Sequence, residues 1–179
     1  MENVADHVEL VDRARRGDAA AWEALYRRAY PRLVAFARRR LDPDAAMEAV
    51  SETMVRAVAG LDRFQWQGQG FDAWLFSILR HVIADGHRRA ARRRAAAPEP
   101  AAPDYAGPLD HVIGVEEAVA VRRAFARLKP FERDVLELRV VAGLSSDEVA
   151  AVVGKRAGAV RMAQARALTR MRAWLGETP

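Results

Sequence analysis

The chain contains no cysteine, and this absence narrows its chemistry. Disulfide bonds, thiolate nucleophiles and cysteine metal ligands are excluded for all 179 residues. The sequence also has no apolar run near the ~20 residues that a helix needs to cross a bilayer. Its acid-containing first residues lack the apolar core of a signal peptide. We therefore expect a soluble, cytoplasmic protein without membrane insertion.

Runs of strand-favouring residues are scarce as well, whereas helix-forming residues are abundant. Alanine, the best helix former, and arginine, which is nearly as good, recur throughout the chain. Because 51% of the residues are hydrophobic, the chain has enough apolar surface to form folded cores. The fold class that these observations predict is all-α.

The net charge of +5 is unevenly distributed along the chain. Residues 80–94 contain six arginines and one acid, and residues 155–172 contain six cations and no acid, so the remainder of the chain is acidic. Two basic patches on an acidic chain are typical of a protein that binds a polyanion such as DNA. The alternative is that the cations simply collect near helix C-termini, where the helix dipole favours them.

Proline is concentrated in one stretch, residues 95–114. This stretch has four of the eight prolines and three acids, and it has no lysine or arginine. Because proline lacks a backbone donor and blocks helix formation, the composition is typical of a flexible linker. The sequence therefore predicts two small helical domains, residues 1–94 and 115–179, joined by this linker.

Apolar residues recur at helical spacing in the first domain. Pro31 is expected to kink or restart a helix that contains Leu25 and Ala29, because proline removes a backbone hydrogen bond. A later helix opens near Phe71, and its spacing places Phe71 and Trp74 in the core. Between the helix that contains Pro31 and the helix that opens near Phe71, a further helix is predicted. Its buried face is formed by Met47, Val50, Met54, Val58 and Leu61.

The second domain carries the spacing of a helix-turn-helix. Ser145 and Glu148 form a capping box that begins a short helix. Ala150 then allows the two helices to cross closely, Gly154 supplies a left-handed turn, and Val160 on the next helix packs that helix onto the first. The basic start of that next helix would meet the major groove and the phosphates of DNA. The alternative is an ordinary helical hairpin, in which the small residues only permit close packing.

The segment RLKPFERDVLELRVVAGLSSDEVAAVVGKRAGAVRMAQARAL contains a Leu-Pro region, an R-x-V-L-x-L helix, a Gly-Leu-Ser turn and a G-x-V helix start. In this pattern it resembles domain 4 of the sigma factors of bacterial RNA polymerase. The resemblance implies that the domain recognises the −35 promoter element. The implied DNA-binding residues are Lys155, Arg156, Arg161 and Arg166.

The first domain contains the segments DAAMEAVSETMVRAVAGLDRF and FDAWLFSILRHVIADGHRRAARR. They are similar to the clamp-binding and promoter-melting helices of sigma domain 2. Domain 2, a linker and domain 4 form the layout of the extracytoplasmic-function group of the sigma-70 family. The resemblance spans most of the chain and implies a domain 2 helical bundle, a flexible linker and a domain 4 helix-turn-helix. The implied function is promoter-specific initiation of transcription.

The resemblance implies that the clamp-binding helix docks on a coiled coil in the largest subunit of core RNA polymerase. The matching residues are Glu48, Glu52 and Arg56, which are spaced four residues apart. Taken without the resemblance, this spacing is typical of a solvated stripe of ion pairs worth a few tenths of a kcal/mol. Ser51 stands where the family often carries glutamine.

The resemblance also implies that the first domain recognises the −10 element and aids promoter melting. Melting unstacks bases, and aromatic side chains can replace the lost stacking at ~1–3 kcal/mol per base. Trp66 lies between two glutamines, so it is the aromatic residue hardest to bury and the best candidate. His81 stands where the family often has asparagine, in the segment that captures a flipped base. Arg80, Arg88 and Arg89 are expected to hold phosphates.

The implied partners are core RNA polymerase, promoter DNA and an anti-sigma factor, and no cofactor, metal or enzymatic activity is expected. The four histidines lack i, i+4 spacing and no cysteine could complete a zinc site. One alternative is a helix-turn-helix regulator that dimerises on operator DNA without being a polymerase subunit. Another is a small enzyme that modifies nucleic acid. Neither alternative accounts for the pattern of residues 44–90.

Overall fold

The structure is a computed structural model that describes residues 4–66, 70–94 and 115–176. Within these three ranges all regular structure is helical, which confirms the predicted all-α fold class. The helices in chain order are α1 Val4–Arg15, α2 Ala19–Ala37, α3 Pro43–Gly60, α4 Phe71–Arg94, α5 Val115–Ala126, α6 Pro130–Val140, α7 Ser146–Val153 and α8 Ala157–Gly176.

The chain divides into two compact units, Met1–Tyr105 and Ala106–Pro179, which we call the first and the second domain. The predicted linker, residues 95–114, lies outside the described residues. Helices α1 to α4 belong to the first domain, and α5 to α8 belong to the second.

The core of the first domain lies where α2, α3 and α4 meet. α1 packs on α2, α2 on α3, and α3 on α4. Phe36 of α2 and Phe76 of α4 are fully buried and meet edge to face, with ring centroids 5.4 Å apart. Arg32 and Asp72 add an ion pair between α2 and the first turn of α4, with Nη2 and Oδ2 2.6 Å apart. Burial of a phenylalanine ring is worth about 1.5–3 kcal/mol, so packing dominates this junction.

α2 continues through Pro31 without interruption, so the expected restart of the helix is wrong. Proline removes its own backbone donor from the helix, and its ring crowds the carbonyl of the residue four positions earlier. On both sides of Pro31 the helix buries apolar residues, with Leu25 and Ala29 before it and Leu33 after it. This packing holds one continuous helix, because tertiary burial rather than local propensity supplies most helical stability in proteins.

The buried face of α3 differs in part from the predicted one. Val50 and Met54 are buried as expected, and so is Leu61 just after the helix, but Met47 and Val58 are 38% and 56% exposed. Three alanines take the inward positions instead and let the neighbouring helices approach closely. The residues that α3 buries are Ala46, Ala49, Val50, Thr53, Met54 and Ala57.

The helices of the second domain all contact its last helix, α8. Pro130 begins α6, where the missing backbone donor costs nothing. Val160, Ala163 and Ala167 form the fully buried stripe of α8. Toward the end of α8, apolar side chains of α5, of the turn after it, of α6 and of α8 form one cluster with Ala167. Its members are Phe125, Leu128, Leu136, Ala167, Leu168, Met171 and Trp174.

The predicted helix-turn-helix is confirmed. The Glu148 amide donates to Ser145 Oγ at 3.2 Å, and the Ser145 amide donates to Glu148 Oε2 at 2.8 Å, which completes the capping box. α7 ends at Gly154, whose φ of 65° lies in the left-handed region. Ala150 and Val160 are buried where α7 meets α8. Short α7 therefore supports the longer α8 across a tight turn, as in DNA-reading motifs.

We expect Gly154→Ala to lower the free energy of unfolding of the second domain by about 1–2 kcal/mol, because only glycine adopts a left-handed conformation without strain. Gly158→Ala is the matched control. A methyl group at either glycine would meet no atom within 4 Å, but Gly158 lies inside α8, where alanine is the better helix former. Thermal unfolding of the two variants should therefore shift in opposite directions. Equal losses would show that the turn does not require glycine.

Candidate nucleic-acid interface

The outward side of α3 combines charged and apolar side chains. Glu48 and Arg56 are exposed, and Glu52 is half-buried. The carboxylate oxygen Oε1 of Glu52 accepts a hydrogen bond from Arg56 Nη2 at 2.5 Å. Val55 and Val58 are 69% and 56% exposed on the same helix. Exposed valines beside an acid–arginine pair suit a protein-binding surface, which we call the α3 face and define by these five residues.

Ion pairs join the α3 face to the basic end of α4. Asp85 accepts a hydrogen bond from Arg88 on its Oδ1, and its Oδ2 lies 3.8 Å from Arg56 Nη1. Glu52 Oε1 lies 4.0 Å from Arg89 Nη2. The structure therefore brings together two sets of residues that the sequence assigned to separate interfaces. We call these five residues the α3–α4 ion network.

Asp85 is a member of the ion network that sequence reasoning missed. The hydrogen bond from Arg88 lowers the pKa of the Asp85 carboxyl below its usual value, and the charges of Arg56 and Arg89 act in the same direction. Two signals in the sequence pointed to it. Asp85 is the one acid among residues 80–94, and it precedes Arg88 by three positions, which brings the two side chains together on a helix.

Arg80 and His81 lie on α4, about one helical turn before Asp85. His81 is exposed, and its Nδ1 lies 2.6 Å from the Ser77 carbonyl oxygen. Because a carbonyl only accepts, Nδ1 must be the donor, and the neutral ring then presents Nε2 to solvent as an acceptor. Arg80 is half-buried. The structure thus leaves His81 oriented toward solvent with a defined hydrogen-bonding edge.

Trp66 is packed more closely than its sequence context suggests. The ring is half-buried and meets the buried Phe64 edge to face, with centroids 5.3 Å apart. Its Nε1 is enclosed and has no hydrogen-bond partner among the described residues. Phe71 is fully buried and Trp74 half-buried, so the expected core role of Phe71 is confirmed. Trp66 therefore belongs to the rim of an aromatic cluster and is not a fully exposed ring.

The four cations predicted for the second domain are all exposed. Lys155 and Arg156 lie in the turn before α8, and Arg161 and Arg166 lie on the helix itself. The helix dipole adds positive potential at the same end of α8. The start of α8 and its exposed positions therefore carry positive charge of the kind that attracts phosphates.

Two further arginines of this domain make contacts inside the fold. Arg139 donates from Nε to Gln164 Oε1 at 3.1 Å and from Nη1 to the Leu144 carbonyl, so it ties α6 to the turn before α7 and to α8. Arg170 donates from Nη1 to both carboxylate oxygens of Glu132 at 2.8 Å. Sequence reasoning missed the role of Arg139, and it counted Arg170 only as part of a basic patch. The hydrogen bond from Arg139 to Gln164 Oε1 fixes the orientation of the Gln164 side chain.

The described residues hold no cluster of three or more histidines, aspartates and glutamates that could bind a metal ion. None of the helices in the described ranges is both long and apolar enough to cross a membrane.

Comparison with known proteins gives matches over both domains. The family model of sigma-70 region 2 matches residues 25–93, and that of sigma-70 region 4 matches residues 118–171. The chain is 35% identical over 176 residues to the ECF RNA polymerase sigma factor ShbA of Streptomyces griseus, and the match covers 92% of each protein.

Two solved structures are similar over most of the chain. CnrH, solved in complex with the cytosolic domain of CnrY, is 26% identical with a TM-score of 0.67, and the match covers 97% of this chain and 99% of CnrH. The sigma factor RpoE of Bartonella quintana, solved with the anti-sigma factor NepR, has a TM-score of 0.71 at 24% identity. That match covers 88% of this chain and 98% of RpoE, and it supports the fold alone.

Proposed function

Because this chain belongs to the extracytoplasmic-function group of the sigma-70 family of RNA polymerase sigma factors, we propose specific roles for the surfaces of its two domains. Membership makes the protein a transcription initiation factor and not an enzyme. The observation that carries the assignment is the pairing of an exposed α3 face with a basic α4 in one domain and a helix-turn-helix with an exposed basic helix in the other.

We propose that the α3 face binds core RNA polymerase. Glu48 and Glu52 supply negative charge, and the exposed Val55 and Val58 supply apolar area beside it. A polymerase surface with cations around an apolar centre would complement both features. Arg56 keeps Glu52 in place through their hydrogen bond at 2.5 Å and so fixes the direction in which the carboxylate points.

α4 is proposed to hold the −10 element. Arg88 and Arg89 carry exposed charges that suit contacts to phosphates, and Arg80 lies nearer the middle of the helix. His81 offers the acceptor Nε2, which suits a base with an exocyclic amino group. Trp66 contributes to stacking only if its ring turns out of the aromatic cluster around Phe64.

α8 is proposed to read the −35 element in the major groove. Arg161 and Arg166 project from the exposed side of the helix, and Lys155 with Arg156 precedes its first turn. Arginine can make bidentate contacts to guanine, whereas cations in the turn are suited to phosphates. Arg139, by holding Gln164, sets how α8 sits on the rest of the domain.

The test is run-off transcription with purified protein, core RNA polymerase and a library of promoter fragments. We expect transcripts that depend on the protein, and sequencing them gives the −10 and −35 elements together. Arg161→Ala should then reduce transcription from promoters that carry the −35 element. A protein that leaves polymerase unaffected, and instead binds intact duplex tightly as a dimer, would contradict the proposal.

We also propose that an anti-sigma factor regulates the protein, which would act in the cytoplasm together with RNA polymerase. Support comes from the relative CnrH, whose structure holds the cytosolic domain of a second protein. The alternative of a regulator that is no polymerase subunit is disfavoured, because a family model for sigma-70 region 2 covers the first domain as well.

A further inference from the structure

The α3–α4 ion network contains two acids that share three arginines. Glu52 accepts from Arg56 and lies 4.0 Å from Arg89. Asp85 accepts from Arg88 and lies 3.8 Å from the other guanidinium nitrogen of Arg56. Arg56 is therefore shared by both acids. A new partner for Glu52 changes how Arg56 interacts with Asp85, and the reverse also holds.

We propose that this network couples the two interfaces of the first domain. In the isolated protein, Asp85 and Glu52 pair with Arg88 and Arg89 and so compete with DNA phosphates for them. When core polymerase binds Glu52, these arginines become available to DNA. The inference rests on the proposed function, since it requires that the α3 face bind polymerase and that α4 bind DNA.

The release follows from the sharing of partners. When a cationic group of the polymerase binds Glu52, Arg89 loses its nearby carboxylate. Arg56 also loses the hydrogen bond at 2.5 Å, and its charge is then balanced by Asp85 alone. The closer approach of Arg56 to Asp85 brings a second positive charge toward Arg88, and repulsion between the two guanidinium groups weakens the hold of Asp85 on Arg88. Both arginines then become available for phosphates.

The exposure of the ion network predicts a moderate coupling between polymerase binding and DNA binding. The side chains of the network are 34% to 63% exposed, and ion pairs of this exposure are weak and screened by salt. A phosphate must nevertheless replace an existing carboxylate partner at each arginine, which lowers the affinity of the isolated protein for DNA. By linkage, DNA bound at α4 must strengthen polymerase binding by the same factor. The isolated protein would therefore spend less time on non-promoter DNA.

Asp85→Asn tests the coupling, because it removes the charge and keeps the shape of the side chain. For the isolated protein, we expect a fluorescein-labelled single-stranded DNA of mixed sequence to bind about three- to tenfold more tightly at low salt. For holoenzyme made with saturating core polymerase, and with unlabelled competitor DNA present, the same substitution should change promoter affinity by less than about twofold. Fluorescence anisotropy measures both affinities.

Asp62→Asn is the control for a general charge effect, since Asp62 is exposed in the same domain and belongs to none of the four contacts. It should change DNA affinity by less than about twofold in either state. An equal gain for Asp85→Asn in isolated protein and holoenzyme, or no gain in the isolated protein, would overturn the coupling.

If circular dichroism shows that Asp85→Asn does not fold, Glu52→Gln decides by the same measurement on isolated protein, where tighter DNA binding supports the coupling and unchanged or weaker binding overturns it. Failure of the proposed function is distinguishable, because it would appear as an absence of run-off transcripts with the unmodified protein. The affinities of the isolated variants do not depend on that result.

Discussion

Glu52→Arg is expected to lower the affinity of the protein for core RNA polymerase by about 100-fold or more while leaving the first domain folded. Reversing this charge removes an acid from the centre of the α3 face and places a cation beside Arg56 and Arg89. A cationic polymerase surface would then be repelled, and loss of a desolvated interfacial charge pair costs about 2–5 kcal/mol. The pair is 35% to 40% exposed in the isolated protein, so its effect on folding is small.

Glu23→Arg provides a closely matched control. Glu23 pairs with Arg27 on α2 at the same i, i+4 spacing and the same 2.5 Å between Oε1 and Nη2. The two substitutions therefore make the same charge change and break the same kind of local ion pair in one domain. Co-purification with core polymerase should be lost for Glu52→Arg and retained for Glu23→Arg. Loss of binding in both variants would show that the polymerase responds to net charge and not to the α3 face.

Local signals in the sequence were sufficient for the helix-turn-helix. The capping box at Ser145 and Glu148, the left-handed Gly154 and the buried Val160 each depend on residues within a few positions of one another. Caps and turns of this kind can be predicted from sequence because they depend on residue types at fixed short spacings. The predicted restart of the helix at Pro31 was wrong for the opposite reason, since burial against other helices outweighed a local preference.

Contacts between residues distant in sequence were not predictable in the same way. Arg139 and Gln164 are 25 positions apart, and Glu132 and Arg170 are 38 apart. Their pairing depends on how α6 and α8 cross, and helical periodicity gives the inward side of each helix but not the partner it meets. For the same reason the sequence could place Glu52 on one face and Arg89 on another without showing that the two charges approach.

The buried face of α3 shows the limit of hydrophobic patterning. Larger apolar residues at positions 47 and 58 were expected inside, whereas the structure buries alanines and exposes Met47 and Val58. Close helix contacts select small side chains, and this choice is a property of the pair of helices. The displaced apolar residues then become available for an interface. The error in the predicted core therefore falls at the surface that is proposed to bind polymerase.

Arg170→Met is expected to lower the free energy of unfolding of the second domain by about 3 kcal/mol. Glu132 is 4% exposed, and Arg170 Nη1 contacts both of its carboxylate oxygens at 2.8 Å. Removing the arginine leaves a buried carboxylate without its counter-charge, which is among the more costly single changes in a protein. A domain of this size is stable by only about 3–9 kcal/mol, so the midpoint of thermal unfolding should fall by more than about 10 °C.

Adding Glu132→Gln to Arg170→Met should restore most of the lost stability, because the buried charge is gone. The side-chain oxygen can still accept from the Lys129 amide, which donates to Glu132 Oε2 at 3.3 Å in the unmodified protein.

Arg166→Met separates stability from DNA contact. Arg166 is exposed on the same helix, so its replacement should leave thermal unfolding within about 0.5 kcal/mol of the unmodified protein and weaken binding to −35 DNA. If Arg170→Met unfolds no earlier than Arg166→Met, then Arg170 serves DNA and not the fold. The opposite result would show that Arg170 stabilises the fold and that Arg166 contacts DNA.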